Sequence, residues 1–96
     1  MNGKFNHALY LLDKGEYDKA EICLRDAIAE SDNKFEQVQI RCCYAELLME
    51  LERYSEALEN AEYILANTDE YGDNDQERTT ALEIKELIRS EGFLDQ

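Results

Sequence analysis

Apolar residues recur along this chain at helical spacing, in five blocks divided by short polar breaks. In the first block, about residues 3 to 14, Phe5, Leu9 and Leu12 share one side at i, i+4, i+7, while Ala8 and Leu11 carry the apolar arc round the flank. So broad an arc predicts a helix that packs on more than one neighbour. Gly15 follows it and supplies, without steric cost, the positive φ of a helix C-terminal cap. A second helix is expected over about residues 17 to 30, burying Tyr17, Ala20, Leu24, Ala27 and Ile28 and turning Asp18, Lys19, Arg25 and Asp26 to water. Its alanines fall where two helix axes would approach most closely.

Asn33, with Glu36 three residues on, reads as a capping box that opens a third and longest helix, to about residue 51. Its packing row is Ile40, Tyr44, Ala45, Leu48 and Leu51, and Cys42, Glu46 and Met49 lie on another side. A fourth helix, about residues 55 to 66, buries Ala57, Ala61, Ile64 and Leu65 and directs Glu56, Glu59 and Glu62 outward. Residues 67 to 74 form the longest break, with Gly72 and several acids, and are expected to be a flexible loop. Asp73 with Gln76, or Asp75 itself, is expected to cap a fifth helix that turns Ala81, Ile84, Leu87 and Ile88 inward and Glu83, Glu86 and Arg89 to water. That one-sidedness suits a lid on the open end of a stack. Residues 90 to 96 are expected to fray, with Phe93 in a position to fold back.

The first four blocks form two copies of one pattern. Gly15-Glu16-Tyr17-Asp18-Lys19-Ala20 returns 37 residues later as Glu52-Arg53-Tyr54-Ser55-Glu56-Ala57. Each copy follows one helical pattern and opens another, so each marks the bend of a helical hairpin. Subtracting the period sets Cys42, Glu46 and Met49 in register with Phe5, Leu9 and Leu12. The expected fold is all-α: antiparallel helical hairpins stacked as a short α-solenoid of five helices. It forms one domain over 1–96, with repeats at about 1–33 and 34–69 and a capping helix at about 74–91.

Ala8 in a first helix, the Gly15/Tyr17/Ala20 bend, then Leu24 and Ala27 in a second, echoed by Ala45, Tyr54, Ala57 and Ile64, resemble a tetratricopeptide repeat. Lys4 and Arg41 stand where that family favours Trp, Asp32 and Asp69 where it often has Pro, and the period is 37 against the family's roughly 34. The resemblance implies a non-catalytic scaffold or adaptor that binds a protein or peptide in a concave groove lined by first helices. Here that groove would hold Phe5, Leu9, Leu12, Cys42, Glu46 and Met49, edged by Asp13 and Glu50. The family's chaperone-tail binders place a clamp of Lys, Arg and Asn on this wall. The corresponding positions here are Phe5, Leu9 and Cys43, which speaks against that subtype.

Charge narrows the partner. The chain carries 23 acidic and 10 basic side chains, a net charge of −13, and most of the excess falls in its second half. Such a field repels phosphate backbones and anionic lipid, so no direct nucleic-acid or membrane binding is expected, and a partner with basic and apolar residues is favoured. The alternative reading is a small acidic inhibitor or nucleic-acid mimic that presents Glu56, Glu59 and Glu62 to a basic cleft. The apolar row can also be covered from within, by the last helix or the N-terminus, or by a second copy in a homo-oligomer.

Catalytic chemistry is sparse. His7 is the only histidine, the four glycines are scattered singly, and neither metal-ligand spacing nor a phosphate-cradling loop is present, so no enzyme, metal or cofactor is expected. A dyad of His7 with Cys23 or Cys42 is conceivable in space, but no third group or oxyanion hole is evident. Three cysteines, Cys23, Cys42 and Cys43, cannot all pair within the chain and are read as structural or incidental thiols of a reducing compartment. With no signal-peptide pattern at the start, the expected location is cytoplasmic.

Overall fold

The computed structural model describes residues 2–95 and folds them into α1 (Gly3–Asp13), α2 (Tyr17–Glu30), α3 (Lys34–Glu50), α4 (Tyr54–Ala66) and α5 (Asp75–Glu91), with a 3₁₀ turn at Phe93–Asp95. The fold is all-α, with no strand among the described residues. Among these residues no helix is long and apolar enough to cross a membrane. Each helix packs on the next in the chain, and α5 also reaches back to α3. One apolar cluster runs through the body, from Phe5 and Ala8 through Leu24, Ile40, Leu48 and Ile64 to Ile88. Alanines 8, 20, 27, 45, 57, 61 and 81 are fully buried. Their small side chains let the axes approach, and the large aliphatic residues between them contribute roughly 1.5–3 kcal/mol apiece on burial.

The 37-residue period is visible in the backbone. The first bend is closed by Gly15 N–H donating to Leu12 C=O (3.0 Å) and Glu16 N–H donating to Leu11 C=O (2.9 Å). The second repeats both bonds 37 positions on, from Glu52 to Met49 (3.1 Å) and Arg53 to Leu48 (2.8 Å). Both bends place one residue in the left-handed region, Gly15 at φ 77° and Glu52 at φ 60°. Glycine adopts that conformation freely, whereas a residue with a Cβ is strained there.

The helix ends are tied more closely than the sequence suggests. Asn2 caps α1 by accepting from the N–H groups of Lys4 (3.0 Å) and Phe5 (3.3 Å), and its amide donates to the Ala27 carbonyl (3.0 Å), fixing α1 to α2. Asn33 caps α3 as expected, accepting from Glu36 N–H at 2.9 Å. The Glu36 carboxylate leaves the capping box incomplete and accepts instead from Ser31 Oγ (2.8 Å) and Asn2 N–H (3.2 Å). At α5 the expected caps, Asp73 and Asp75, are displaced by Asn74. This residue is buried, and its amide donates to the Phe35 carbonyl at 3.4 Å and to Glu77 at 3.2 Å. Residues 67 to 74 do form the longest connection, and Arg78 secures it by donating to the carbonyls of Leu65 (3.1 Å) and Thr68 (2.9 Å).

Two polar seams join the hairpins. Glu21 of α2 accepts from Arg53 (2.7 Å) and from the Tyr44 hydroxyl (2.6 Å) and pairs with Arg25 (3.2 Å), so one carboxylate links α2, α3 and the start of α4. The Arg53 hydrogen bond, strengthened by Tyr44 and the two guanidinium charges against the cost of burial, holds the Glu21 carboxyl below the usual carboxylate range. The Gln37 amide, on α3, donates to the Ile28 and Ser31 carbonyls at the end of α2. Lys4 and Arg41, 37 apart, do related work by different chemistry. Lys4 pairs with Asp26 (3.7 Å) and Glu30 (2.8 Å), while Arg41 lies over the Tyr63 ring, 4.2 Å from its centroid.

Several burial expectations need correction. Tyr17 is 37% exposed, not buried. Its counterpart Tyr54 is covered by Phe93, which folds back to stack on it with ring centroids 4.0 Å apart, whereas Tyr17 borders an open depression. Leu87 is 45% exposed because it lies at the edge between α5 and α3. Ile28 and Leu65 are half-buried. In the C-terminal segment α5 continues to Glu91 and ends at Gly92 in the left-handed conformation, a 3₁₀ turn follows at Phe93–Asp95 in which Phe93 folds back as the sequence allowed, and residue 96 lies outside the described residues.

Candidate functional site

Two shallow depressions flank α3, one toward the α1–α2 bend and one toward α5. The first, about 360 Å³, lies between the α1–α2 bend and α3 and is lined by Leu12, Tyr17, Cys43, Glu46, Leu47 and Glu50. The second, about 280 Å³, lies between α3 and α5 and is lined by Glu46, Met49, Thr80, Glu83, Ile84 and Leu87. Leu12, Cys43, Glu46, Leu47 and Glu50 of the first correspond, 37 positions on, to Met49, Thr80, Glu83, Ile84 and Leu87 of the second. One surface feature is thus built twice. This correspondence places α5 in the same register as α3, a relation that the weak signature of the last helix leaves open in the sequence. Tyr17 has no open equivalent in the second depression because Phe93 lies on Tyr54.

The structure divides the expected groove residues. Leu12, Glu46, Met49 and Glu50 line the paired depressions. Leu9, 37 positions before Glu46, is 44% exposed on α1, and Asp13 is exposed at its end. Phe5 and Cys42 are not groove residues. They are 9% and 7% exposed and belong to the core cluster. Phe5 lies in the turn that Asn2 fastens to α2, and Cys42 lies beneath the start of α5, close to Glu77 and Thr80. Cys43 was expected on this wall only as a position where the family's clamp is missing, and Tyr17, Leu47, Thr80, Glu83, Ile84 and Leu87 were not anticipated. For the α5 members the one available signal was the 37-residue offset itself, applied once more from α3.

Every charged side chain lining the two depressions is acidic: Glu46, Glu50 and Glu83. Glu46 borders both, so an occupant spanning them must pass its carboxylate. Burial, with the Glu46 charge adding to it, pushes the Cys43 thiol up to about 11 and the Cys42 thiol up to about 12. Both therefore stay protonated at neutral pH. Among the described residues no group of three His, Cys, Asp or Glu side chains converges as a metal ion would require.

On the other candidate surface the carboxylates are partly engaged. Glu56 pairs with Arg53 (2.5 Å), Glu62 pairs with Lys85 (3.4 Å), and Glu59 is exposed. A further hollow of about 300 Å³ between α4 and α5 is lined by Leu58, Ile88 and Leu94 but mixes both signs of charge, with Glu62, Lys85 and Arg89 at its wall. It lacks the repetition and the uniform charge of the paired depressions. No family model, curated protein or solved structure matches the chain.

Proposed function

We propose that this protein is a non-catalytic, tetratricopeptide-like scaffold, a short solenoid that binds a basic, apolar segment of another protein across the face of α1, α3 and α5. The observation that carries the reading is the duplicated depression with its wholly acidic charged lining. Packed helix axes lie roughly 8–10 Å apart and an extended chain advances roughly 3.3 Å per residue with alternate side chains on one face, so apolar anchors two or four residues apart bracket the spacing of the two depressions. A Lys or Arg between or beside them meets Glu46, Glu50 or Glu83. Apolar burial supplies affinity, and the carboxylates set orientation and speed encounter. A reducing, cytoplasmic setting suits the three free thiols.

The test compares what wild-type protein captures from the source cell with what two variants capture. Leu12→Asp with Leu87→Asp places one charge in each depression and should abolish capture while far-ultraviolet circular dichroism stays unchanged. Glu56→Lys, Glu59→Lys and Glu62→Lys together should leave capture intact. The reverse pattern would overturn the groove reading in favour of an acidic inhibitor acting through α4.

A further inference from the structure

His7 and Cys23 face each other across the α1–α2 seam, with Nδ1 3.6 Å from Sγ. His7 is exposed and Cys23 half-buried at the edge of the core cluster, so the pair is open to water on one side. The repeat shows what these positions ordinarily do. Thirty-seven residues on they are Tyr44 and Asn60. Tyr44 is tied to Glu21 (2.6 Å) and Arg25 (2.9 Å), and Asn60 to Arg41 (3.2 Å) and the Glu56 carbonyl (3.0 Å). In the second repeat both positions serve the seams between helices. In the first they hold a nucleophile and a base in mutual contact.

We propose that Cys23 is a thiol modification site in this chain, with His7 as its base and a low-molecular-weight disulfide of the glutathione type as its reactant. The Cys23 thiol gives its proton to His7 Nδ1 as the sulfur attacks one sulfur of the disulfide. A new S–S bond forms to Cys23, the disulfide's own S–S bond breaks, and the released thiolate recovers the proton. Cys23 is oxidised to a mixed disulfide while the small disulfide is reduced to one thiol, so electrons balance without a further reactant. The other two thiols do not compete. Cys42 and Cys43 lie on α3; Cys42 is buried and Cys43 half-buried, and both thiols are kept protonated by burial and the Glu46 charge. Neither His7 nor Cys23 lines the paired depressions.

Native full-length protein treated with an aromatic disulfide reagent, and separately with oxidised glutathione, tests this by rate and by peptide mapping. One thiol should react in a fast phase and map to Cys23, with Cys43 reacting more slowly and Cys42 only on unfolding. Cys23→Ser should remove the fast phase. His7→Gln, a change at an exposed position, should keep the adduct at Cys23 but slow it several-fold, while circular dichroism confirms the fold. A fast phase that survives Cys23→Ser, that maps to Cys43, or that is as rapid in His7→Gln as in wild type would overturn the proposal.

Discussion

Glu52 occupies the place in the second bend that Gly15 fills in the first, and Glu52→Gly should therefore stabilise the protein. The perturbation isolates the backbone, because both residues sit at positive φ, 60° and 77°, and both bends make the same pair of closing hydrogen bonds. Holding an L-residue in the left-handed region costs about 1–2 kcal/mol, whereas glycine gives the unfolded chain extra freedom that costs the folded state about 0.4–1 kcal/mol. The difference favours Glu52→Gly by about 0.5–1 kcal/mol, which for a domain of this size raises Tm by roughly 2 to 8 °C. Gly15→Ala should lower stability by a similar amount, and purely through the backbone, since a Cβ there meets nothing within 4 Å. Glu52→Ala removes the carboxylate but keeps the Cβ, so it should stay within about 0.5 kcal/mol of wild type. Urea denaturation at pH 7 and a thermal scan of the four proteins decide the matter. If Glu52→Ala stabilises as much as Glu52→Gly, relief of acidic repulsion explains the gain. If Gly15→Ala is neutral, the shared left-handed bend is wrong.

Three further outcomes follow from the packing and the polar seam. Leu24 is fully buried at the centre of α2, so Leu24→Ala should lose about 2–5 kcal/mol in denaturant titration. Phe93→Ala removes the ring stacked on Tyr54 and should cost about 0.5–1.5 kcal/mol beyond the lost burial, with a matching rise in Tyr54 exposure by solvent-perturbation spectroscopy. Glu21 titrates lower in the folded state than unfolded, chiefly through the Arg53 hydrogen bond. Its contribution is therefore complete above the unfolded value of about 4.3 and is lost as pH falls through the folded one. Glu21→Gln should cost about 1–2 kcal/mol at pH 7, a figure reduced for the partial exposure of Arg53, and the gap from wild type should shrink at pH 3.

The parts of this fold legible in the sequence are those written in local spacing. Five helices, the Gly15 cap, the Asn33 cap and the 37-residue echo of Tyr17 in Tyr54 follow from apolar period and bend chemistry alone. Contacts made at a distance are not. Nothing near Asn2 tells of its bond to Ala27, and although Phe93 was placed to fold back, nothing near it names Tyr54 as the ring it meets or Tyr17 as the uncovered member of the pair. The lining of the paired depressions was half legible for the same reason. Leu12, Glu46, Met49 and Glu50 follow from the face of their own helices, but Phe5 and Cys42 share that face and are buried by neighbours that helical period does not reveal. The α5 half of the candidate site was hidden by composition: Thr80, Glu83, Ile84 and Leu87 share little residue identity with Cys43, Glu46, Leu47 and Glu50, although they occupy corresponding places in the two linings.

Glu46 borders both depressions, and a photo-crosslinking amino acid placed there should report directly on whether a partner lies across this face. The same probe at Glu59, exposed on α4, samples the competing surface. With both proteins irradiated in the source cell, position 46 should yield one dominant crosslinked species, absent when Leu12→Asp and Leu87→Asp are added, and position 59 should yield none. Crosslinking of the same species from position 59 with none from position 46 would contradict the assignment of this face as the binding site.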